Sequence, residues 1–261
     1  NVHNLPLRPP AVLARSAASL DRLSGGRFEL ALGSGGFGTA IAAMGGPERT
    51  PGQGIDALAE AIPLIRALWD VDDRTPLRID GEYYRLDGAK RGPEPAHGIP
   101  IHVGAYKPRM LRLVGRLADG WLPSLAYLED GDVAPGNAEI DAAAEAAGRD
   151  PREIRRLLNI SGRFQDRDGG LLQGPPAQWV EQLLPYVLEH GMSVFILAGD
   201  DPDAMRAFAE EVGESELAAT IRGFVGWARL DLLGQQGGEP ERRALEQILG
   251  WATATVEFDL I

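Results

Sequence analysis

Apolar positions alternate along the chain between helical spacing and short continuous runs. The segment "PPAVLARSAASLDRLSGG" has apolar residues at helical spacing, a proline near its start and a glycine pair at its end. The next segment, "RFELALG", predicts a strand from Phe28 to Leu32. Further helices are expected in "GIDALAEAIPLIRALWD", "KPRMLRLVGRLAD", "AEIDAAAEAAG", "PPAQWVEQLLPYVLEHG" and "PDAMRAFAEEV", and further strands in "IPIHVGA", "GWLPSL", "LLNISGRF" and "MSVFILAG". Apolar strands separated by helices predict a parallel sheet covered on both faces.

An eight-stranded β/α barrel and a doubly wound sheet both suit this alternation. The ends of the strands favour the barrel, because Gly, Ser or Pro follows nearly every strand, as in "LGSGG", "VGAYKP", "WLPS", "NISG" and "LAGDD". A barrel that gathers its site from many βα loops has this pattern. The segment "PLRIDGEYYRLDG" predicts a hairpin that turns at Asp80-Gly81.

The glycine-rich segment after the first of these strands has the spacing G-x-G-x-x-G, from Gly33 to Gly38. A dinucleotide-binding fold also needs a helix that opens on the last glycine and an acidic residue about twenty positions later, at a strand end. Here only "TAIAAM" follows before Gly45-Gly46-Pro47, and the acidic residues in range, Glu48 and Asp56, are not at a strand end. The sequence therefore argues against a Rossmann domain.

Composition narrows the class of protein. The chain has 261 residues, 44% of them apolar, and a formal net charge of −12. This charge disfavours nucleic acid or an anionic membrane as a partner, since both attract clustered Lys and Arg. There is no cysteine, so disulfides and thiolate metal sites are excluded. No apolar run approaches about 18 residues and no signal-peptide pattern opens the sequence, so we expect a cytoplasmic protein.

The order and spacing of several segments resemble the luciferase-like flavin- or deazaflavin-dependent oxidoreductases. They are "LSGGRFELALGSG", "AIAAMGGPERTPG", "ALAEAIPLIRALWD", "GAYKPRMLRLVGRLADGWLPS" and "IDAAAEAAGRDPREIRRLLNISG". The resemblance covers residues 1–212. It implies a (β/α)8 TIM barrel with an insertion near the fifth strand, which the hairpin at 77–87 would be.

A strand that ends in Gly104-Ala105 before a helix that starts near Lys107-Pro108 suits a phosphate group, because free N–H groups and a cation lie together there. The alternative is an ordinary βα turn with a surface lysine. The resemblance implies a cofactor site with three parts: a ribityl-phosphate end, a loop against the ring or ribityl chain, and the end of the third strand. The implied residues are, in that order, Gly104, Ala105, Tyr106, Lys107, Leu122, Pro123 and Ser124; Gly33, Ser34 and Gly35; and Asn1 and Val2.

Few residues suit proton transfer. His3 is the one catalytic candidate, with a loop-capping role as its alternative, and no metal site is expected. His102 lies within a strand and is expected to be buried and hydrogen-bonded, while His97 and His190 are expected to be structural. Deazaflavin sugar-phosphate dehydrogenases of this superfamily carry a glutamate where this chain has Gly36, so it is not expected to be that enzyme.

The resemblance implies an enzyme that uses FMN or coenzyme F420 for hydride transfer to a small organic substrate or, with FMN, for O₂ activation. Two alternatives stay open: a flavin-binding or structural relative without turnover, and a sugar-phosphate barrel, which lacks the paired acid and base of an isomerase. We expect a homodimer, with no nucleic acid or membrane as partner.

The last segment, residues 228–261, continues beyond the point where the family usually ends. It has the pattern strand, helix, strand, and it resembles the beginning of the family. One interpretation is a single barrel domain over 1–261 in which 228–261 supply strands 1 and 2, so that the barrel is permuted or incomplete around strands 1–3. The alternative is an added amphipathic helix that packs outside the barrel.

Overall fold

The computed structural model describes residues 2–129 and 131–213. The tail at 228–261, on which the permuted-barrel interpretation depends, and Asn1 lie outside these residues. The helices and strands in chain order are β1 His3–Asn4, α1 Pro10–Ser24, β2 Leu30–Gly33, α2 Gly38–Ala43, α3 Pro51–Trp69, β3 Leu77–Asp80, β4 Arg85–Ala89, β5 Ile101–Val103, α4 Pro108–Leu117, β6 Gly120–Trp121, α5 Val133–Ala146, β7 Arg155–Ile160, β8 Arg163–Phe164, β9 Gln173–Gly174, α6 Pro176–Leu188, β10 Val194–Leu197 and α7 Pro202–Ala207.

The described residues form two compact units. The first holds those up to Leu122 and from Pro135 to Ile154, and the second holds those from Pro123 to Ala134 and from Arg155 onward.

Four parallel strands of the first unit lie side by side in chain order. His3 of β1 pairs with Leu32 of β2, β2 pairs with β5, and β5 pairs with β6. A helix follows β1, β2 and β5 along the chain. A doubly wound sheet reverses its strand order at a switch point, whereas this succession continues in one direction as in a β/α barrel.

Two helices of the first unit pack against each other, and small buried residues lie on both of them. Helix α1 packs against α3, and Ala14, Ala57 and Ala61 are fully buried. The indole Nε1 of Trp69 donates a hydrogen bond to the carbonyl of Ala14 at 2.8 Å. Small alanine side chains therefore contribute to the packing of these two helices, beside the larger Leu and Ile side chains of the core.

The starts of two elements differ from the predicted positions. The strand expected at Phe28–Leu32 lies at Leu30–Gly33, because the Phe28 N–H is directed to the Asp21 carboxylate at 3.4 Å instead of to a neighbouring strand. Helix α3 begins at Pro51, earlier than its apolar pattern, because Thr50 and Gln53 form a capping box.

The predicted hairpin is present as the antiparallel pair β3 and β4, and a carboxylate from α3 holds its turn. Glu60 accepts hydrogen bonds from the backbone N–H groups of Glu82, Tyr83 and Tyr84 at 2.9, 3.0 and 3.2 Å. The turn of the hairpin is thereby anchored to helix α3.

In the second unit, β7 and β10 are parallel, with Leu157 opposite Val194. Trp179 of α6 is buried and stacks on Phe164, with ring centroids 4.3 Å apart. This agrees with the expectation that Trp179 is a core residue. Among the described helices, none has the length and apolar character needed to span a bilayer.

Candidate functional site

The carboxyl ends of β2 and β5 meet beside the side chain of Val2, the residue directly before β1. A Cβ atom on Gly33 would lie 3.2 Å from Val2 Cγ2, and one on Gly104 would lie 3.5 Å from Val2 Cγ1 and from the carbonyl oxygen of Leu122. The structure therefore brings four of the predicted cofactor residues together. Gly33 is buried against Val2, whereas Gly104 is half-buried, so the backbone at Gly104 permits close approach by a ligand.

The loop after β2 needs glycine at one position and leaves room at another. Gly35 has a φ of +94°, and a Cβ there would lie 2.6 Å from Pro6 Cγ. A Cβ on Gly36 would meet nothing within 4 Å. The carbonyl of Ser34 packs against Gly54 in the first turn of α3, where a Cβ would lie only 2.8 Å away. The loop is thus fixed against α3. Packing does not require a glycine at position 36, because a Cβ atom there would meet no other atoms.

The turn between β5 and α4 has the geometry that the sequence predicted. The carbonyl of Ala105, a buried residue, accepts a hydrogen bond from Trp121 Nε1 at 2.9 Å. Lys107 is the N-cap residue of α4, which begins at Pro108, and Tyr106 is 37% exposed. Trp121 is a core residue, 1% exposed, that also holds this turn in place.

The three cations near the start of α4 differ in their partners. Arg109 pairs with Asp56, and Arg112 pairs with Glu139. Lys107 is exposed and has no acidic partner within the described part of the chain. Lys107 is therefore the cation of this turn that is available to an anionic ligand.

The two remaining predicted residues belong to the second unit. The Pro123 carbonyl accepts from the Asn159 N–H at 2.9 Å, and Asn159 Nδ2 donates to Ser124 Oγ at 3.3 Å. These contacts fix Pro123 and Ser124 beside β7. The predicted roles of these two residues stay a prediction.

The histidines separate into two kinds. His102 is buried and its Nε2 lies 2.6 Å from Glu29 Oε2, as expected for a structural residue. His97 Nδ1 lies 2.9 Å from the carboxylate of the buried Asp21. His3, in contrast, is paired with no carboxylate in the described chain; its Nε2, like Nδ1 of His102, is buried and has no hydrogen-bond partner there. Burial, and secondarily the charge of Arg8, lowers the pKa of His3 below its ordinary value.

One feature near these strand ends was not found from the sequence. A cavity of about 360 Å³ lies beside the segment after β1, and Arg49 and Tyr84 contribute to its wall. Arg49 lies over the rings of both Tyr83 and Tyr84. The adjacent tyrosines at the hairpin turn were a signal that could have located it.

The residues present fit a ring cofactor with a phosphate end. The half-buried backbone of Gly104 beside Val2 offers a surface for the ring, and Lys107 at the start of α4 offers a charge for a phosphate. Within 2–129 and 131–213, no three His, Asp or Glu side chains are grouped closely enough to hold a metal ion.

Known proteins of similar sequence include oxidoreductases. The chain is 37% identical over 88% of its length to a 5,10-methylenetetrahydromethanopterin reductase of Methanolobus tindarius, of which it covers 66%. It is 28% identical over 80% of its length to an F420-dependent glucose-6-phosphate dehydrogenase of Intrasporangium calvum, of which it covers 60%. The chain thus spans about two thirds or less of these relatives.

A solved F420-dependent secondary alcohol dehydrogenase shares the fold, with a TM-score of 0.68 at 18% identity over 81% of this chain and 76% of that one. The expected (β/α)8 barrel of the luciferase-like type is thereby confirmed. The sequence profile of the luciferase-like monooxygenases matches residues 1–168. The chain belongs to the luciferase-like monooxygenase family.

Proposed function

We propose that this chain belongs to an oxidoreductase that binds the deazaflavin coenzyme F420 and transfers a hydride between it and a small organic substrate. Among the relatives, an F420-dependent glucose-6-phosphate dehydrogenase and an F420-dependent hydroxymycolic acid dehydrogenase support this choice of cofactor. The deazaflavin, when bound, supplies the hydride chemistry, and the protein orients and shields it.

The observation that carries the proposal is the pair of strand ends beside Val2. Val2 lies within contact distance of both glycine positions, Gly33 and Gly104, and Gly33, which is buried, leaves room for the Val2 side chain. A planar ring can approach the half-buried backbone at Gly104 and the Val2 side chain closely, whereas a side chain at position 104 would occupy part of this space. We assign Val2, Gly33 and Gly104 to the ring and its adjoining ribityl chain.

The turn at Tyr106 and Lys107 would hold the phosphate of the cofactor. The N-terminus of α4 carries partial positive charge, and Lys107 adds a full charge that no carboxylate of the described chain neutralises. We assign Lys107 to the phosphate and Ala105 to the support of the turn through its bond from Trp121.

The substrate is proposed to be something other than a sugar phosphate. Dehydrogenases of that kind carry a glutamate at the position of Gly36, and here the backbone has room for a side chain that the sequence does not provide. His3 is the remaining group that could hold or move a proton, because its Nε2 is buried and unpaired in the described structure.

Two other functions remain in competition. An FMN-dependent monooxygenase has support from solved structures of similar fold, among them an EDTA monooxygenase with a TM-score of 0.67 at 17% identity. A cofactor-binding relative without turnover is favoured by the small number of residues that could transfer a proton.

The test uses the 261-residue chain and two cofactors. Binding of F420 and of FMN is measured by the change in cofactor fluorescence, followed by turnover of F420 with a panel of alcohols, aldehydes and activated alkenes. We expect F420 to bind more tightly than FMN and to be turned over. Preference for FMN would favour the monooxygenase, binding without turnover would favour the non-catalytic relative, and binding of neither would overturn the proposal.

We also propose a homodimer, because helix α1 exposes apolar side chains along one face. Val12, Leu20 and Leu23 are 52%, 48% and 86% exposed, and their spacing puts them on the same side of the helix. Contiguous exposed apolar residues commonly mark an interface. Sedimentation at micromolar concentration should show a dimer, and Leu23→Glu should shift it toward monomer; a monomeric parent chain would contradict this.

A further inference from the structure

The cavity beside the segment after β1 combines an apolar wall with a single cation. Its volume is about 360 Å³, in the range of small-molecule sites. Pro6, Leu7, Pro9 and Met44 give it an apolar wall, and Arg49 is the charged residue that lines it. Such a surface suits a ligand that is itself mostly apolar and carries one negative charge.

Two aromatic rings hold Arg49 in position. Its guanidinium carbon lies 5.2 Å from the ring centre of Tyr83 and 5.3 Å from that of Tyr84, and its Nη1 donates to the Tyr84 hydroxyl at 3.0 Å. The guanidinium is half-buried and has no carboxylate partner in the described chain. The rings restrict its geometry without neutralising its charge.

The position of the two tyrosines is itself fixed. Glu60 in α3 accepts the backbone N–H groups of both Tyr83 and Tyr84. Arginine donors that are held in place lose less conformational freedom when a carboxylate binds. The cation is therefore arranged in advance of any ligand.

The cavity also adjoins the proposed cofactor loop. Pro6, which lines the cavity, lies against Gly35, where a Cβ would be 2.6 Å from its Cγ atom. Leu7 lies against Gly46 in the same way, at 3.3 Å from a Cβ. One wall of the cavity thus continues into the loop that we assign to the cofactor.

We propose that this cavity binds an organic monocarboxylate, with the carboxylate on Arg49 and the apolar body along Pro6, Leu7 and Met44. The binding of a carboxylate in the cavity is independent of the proposed function. The further statement that this carboxylate is the substrate that exchanges a hydride rests on the proposed function. Arginine forms two parallel hydrogen bonds with a carboxylate, and this geometry distinguishes an acid from an alcohol of the same length.

The test compares hexanoate with 1-hexanol by titration calorimetry on the full chain without cofactor. We expect hexanoate to bind more tightly than hexanol, and Arg49→Gln to weaken hexanoate about 10-fold while the affinity for hexanol is unchanged. Arg116→Gln, at an exposed arginine of α4, is the matched control and should bind both probes as the parent chain does. Thermal unfolding of each variant confirms that it is folded.

Equal binding of the two probes, or hexanoate binding that Arg49→Gln leaves unchanged, would overturn the proposal. A second measurement separates it from the proposed function. Cofactor affinity should be lowered by Lys107→Met and left unchanged by Arg49→Gln. If Arg49→Gln weakens F420 instead, Arg49 serves the cofactor and the substrate assignment is wrong.

Discussion

The hydrogen bonding of polar groups differs between the amino and the carboxyl ends of the parallel strands in the first unit. At the amino ends, carboxylates are surrounded by donors. Asp21 accepts from the N–H groups of Phe28, Ala96 and His97, and Asp119 accepts from the Ile101 N–H at 2.8 Å and from Arg66 at 2.7 Å. These bonds tie the segments before β2, β5 and β6 to one another.

At the carboxyl ends, β2 finishes in Gly33 and Gly104 follows β5, and the polar groups nearby lack such partners. His3 Nε2 has none in the described structure, and neither Lys107 nor Arg49 has an acidic one there. In a β/α barrel, one end of the strands secures the fold and the other carries the site. The difference between the two ends locates the site without reference to any relative, and four substitutions test it.

The largest effect is expected at the amino end, from Asp21→Asn. Asp21 Oδ2 accepts two N–H groups, at 2.7 and 3.1 Å, and an amide NH₂ in its place would face two donors. We expect the free energy of unfolding to fall by about 3 kcal/mol, a decrease in Tm of roughly 6–12 °C. Asp72→Asn, at an exposed carboxylate, is the control. If the free energy of unfolding of Asp21→Asn equals that of the parent chain within error, the amino end does not stabilise the fold in this way.

The same variant has a defined pH dependence. Burial alone would raise the pKa of Asp21, but hydrogen bonds from His97, Ala96 and Phe28 hold it below its ordinary value of 3.8. A carboxyl whose pKa is lower in the folded state stabilises above the unfolded pKa, and this contribution is lost as pH falls through the folded value. The stability difference between parent and Asp21→Asn should therefore be full above about pH 4 and shrink below it, as urea unfolding at several pH values would show.

The second effect concerns the carboxyl end and compares two glycines on either side of β5. A Cβ on Gly104 makes contacts of 3.5 Å, and one on Gly98, at the amino side, makes none within 4 Å. Both valine variants should fold. We expect Gly104→Val to weaken F420 about 30-fold, because its methyl groups occupy the proposed ring surface, and Gly98→Val to leave binding unchanged. Similar affinities in a fluorescence titration would remove Gly104 from the site.

A smaller effect is expected from Lys107→Met, at the start of α4. Loss of one exposed charge beside the phosphate should weaken F420 about 5-fold at low salt, with the difference disappearing near 1 M salt as the charge is screened. Arg116→Met, on the same helix, should change nothing. A loss of affinity that salt does not reduce would indicate that the lysine supports the turn and does not contact the phosphate.

The sequence predicted the local features of this unit well. The stop of α1 at Gly25, the hairpin at Asp80-Gly81 and the start of α4 at Pro108 each depend on residues that lie close together in the chain. Gly33 and Gly104 were predicted near strand ends for the same reason, and the structure places Gly33 at the end of β2 and Gly104 directly after β5. Local chemistry of this kind is visible in one sequence.

Features that depend on a specific side-chain contact were missed, whether the partners lie seven or more than twenty positions apart. The hydrogen bond from the Phe28 N–H to Asp21 makes the strand start later than predicted. The position of Arg49 depends on Tyr83 and Tyr84, whose backbone is held by Glu60, more than twenty positions earlier in the chain. Neither partner is suggested by spacing. Charged residues in a helical pattern look alike in sequence whether they face solvent or hold a loop, so such contacts become visible only in the fold.

The smallest effect is expected from His3→Gln, and it tests whether the imidazole of His3 lacks a stabilising partner in the folded state. Burial lowers the pKa of His3 below its ordinary value of 6.5, so near this value the unfolded chain binds a proton that the folded chain does not. The parent chain should lose stability as pH falls from 6.5 toward the folded pKa, and His3→Gln should lack this loss. Urea unfolding of both proteins from pH 7.5 to pH 5 measures the difference. A parent chain that gains stability relative to His3→Gln on acidification would show that His3 is paired in the folded state, and the carboxyl end would then resemble the amino end.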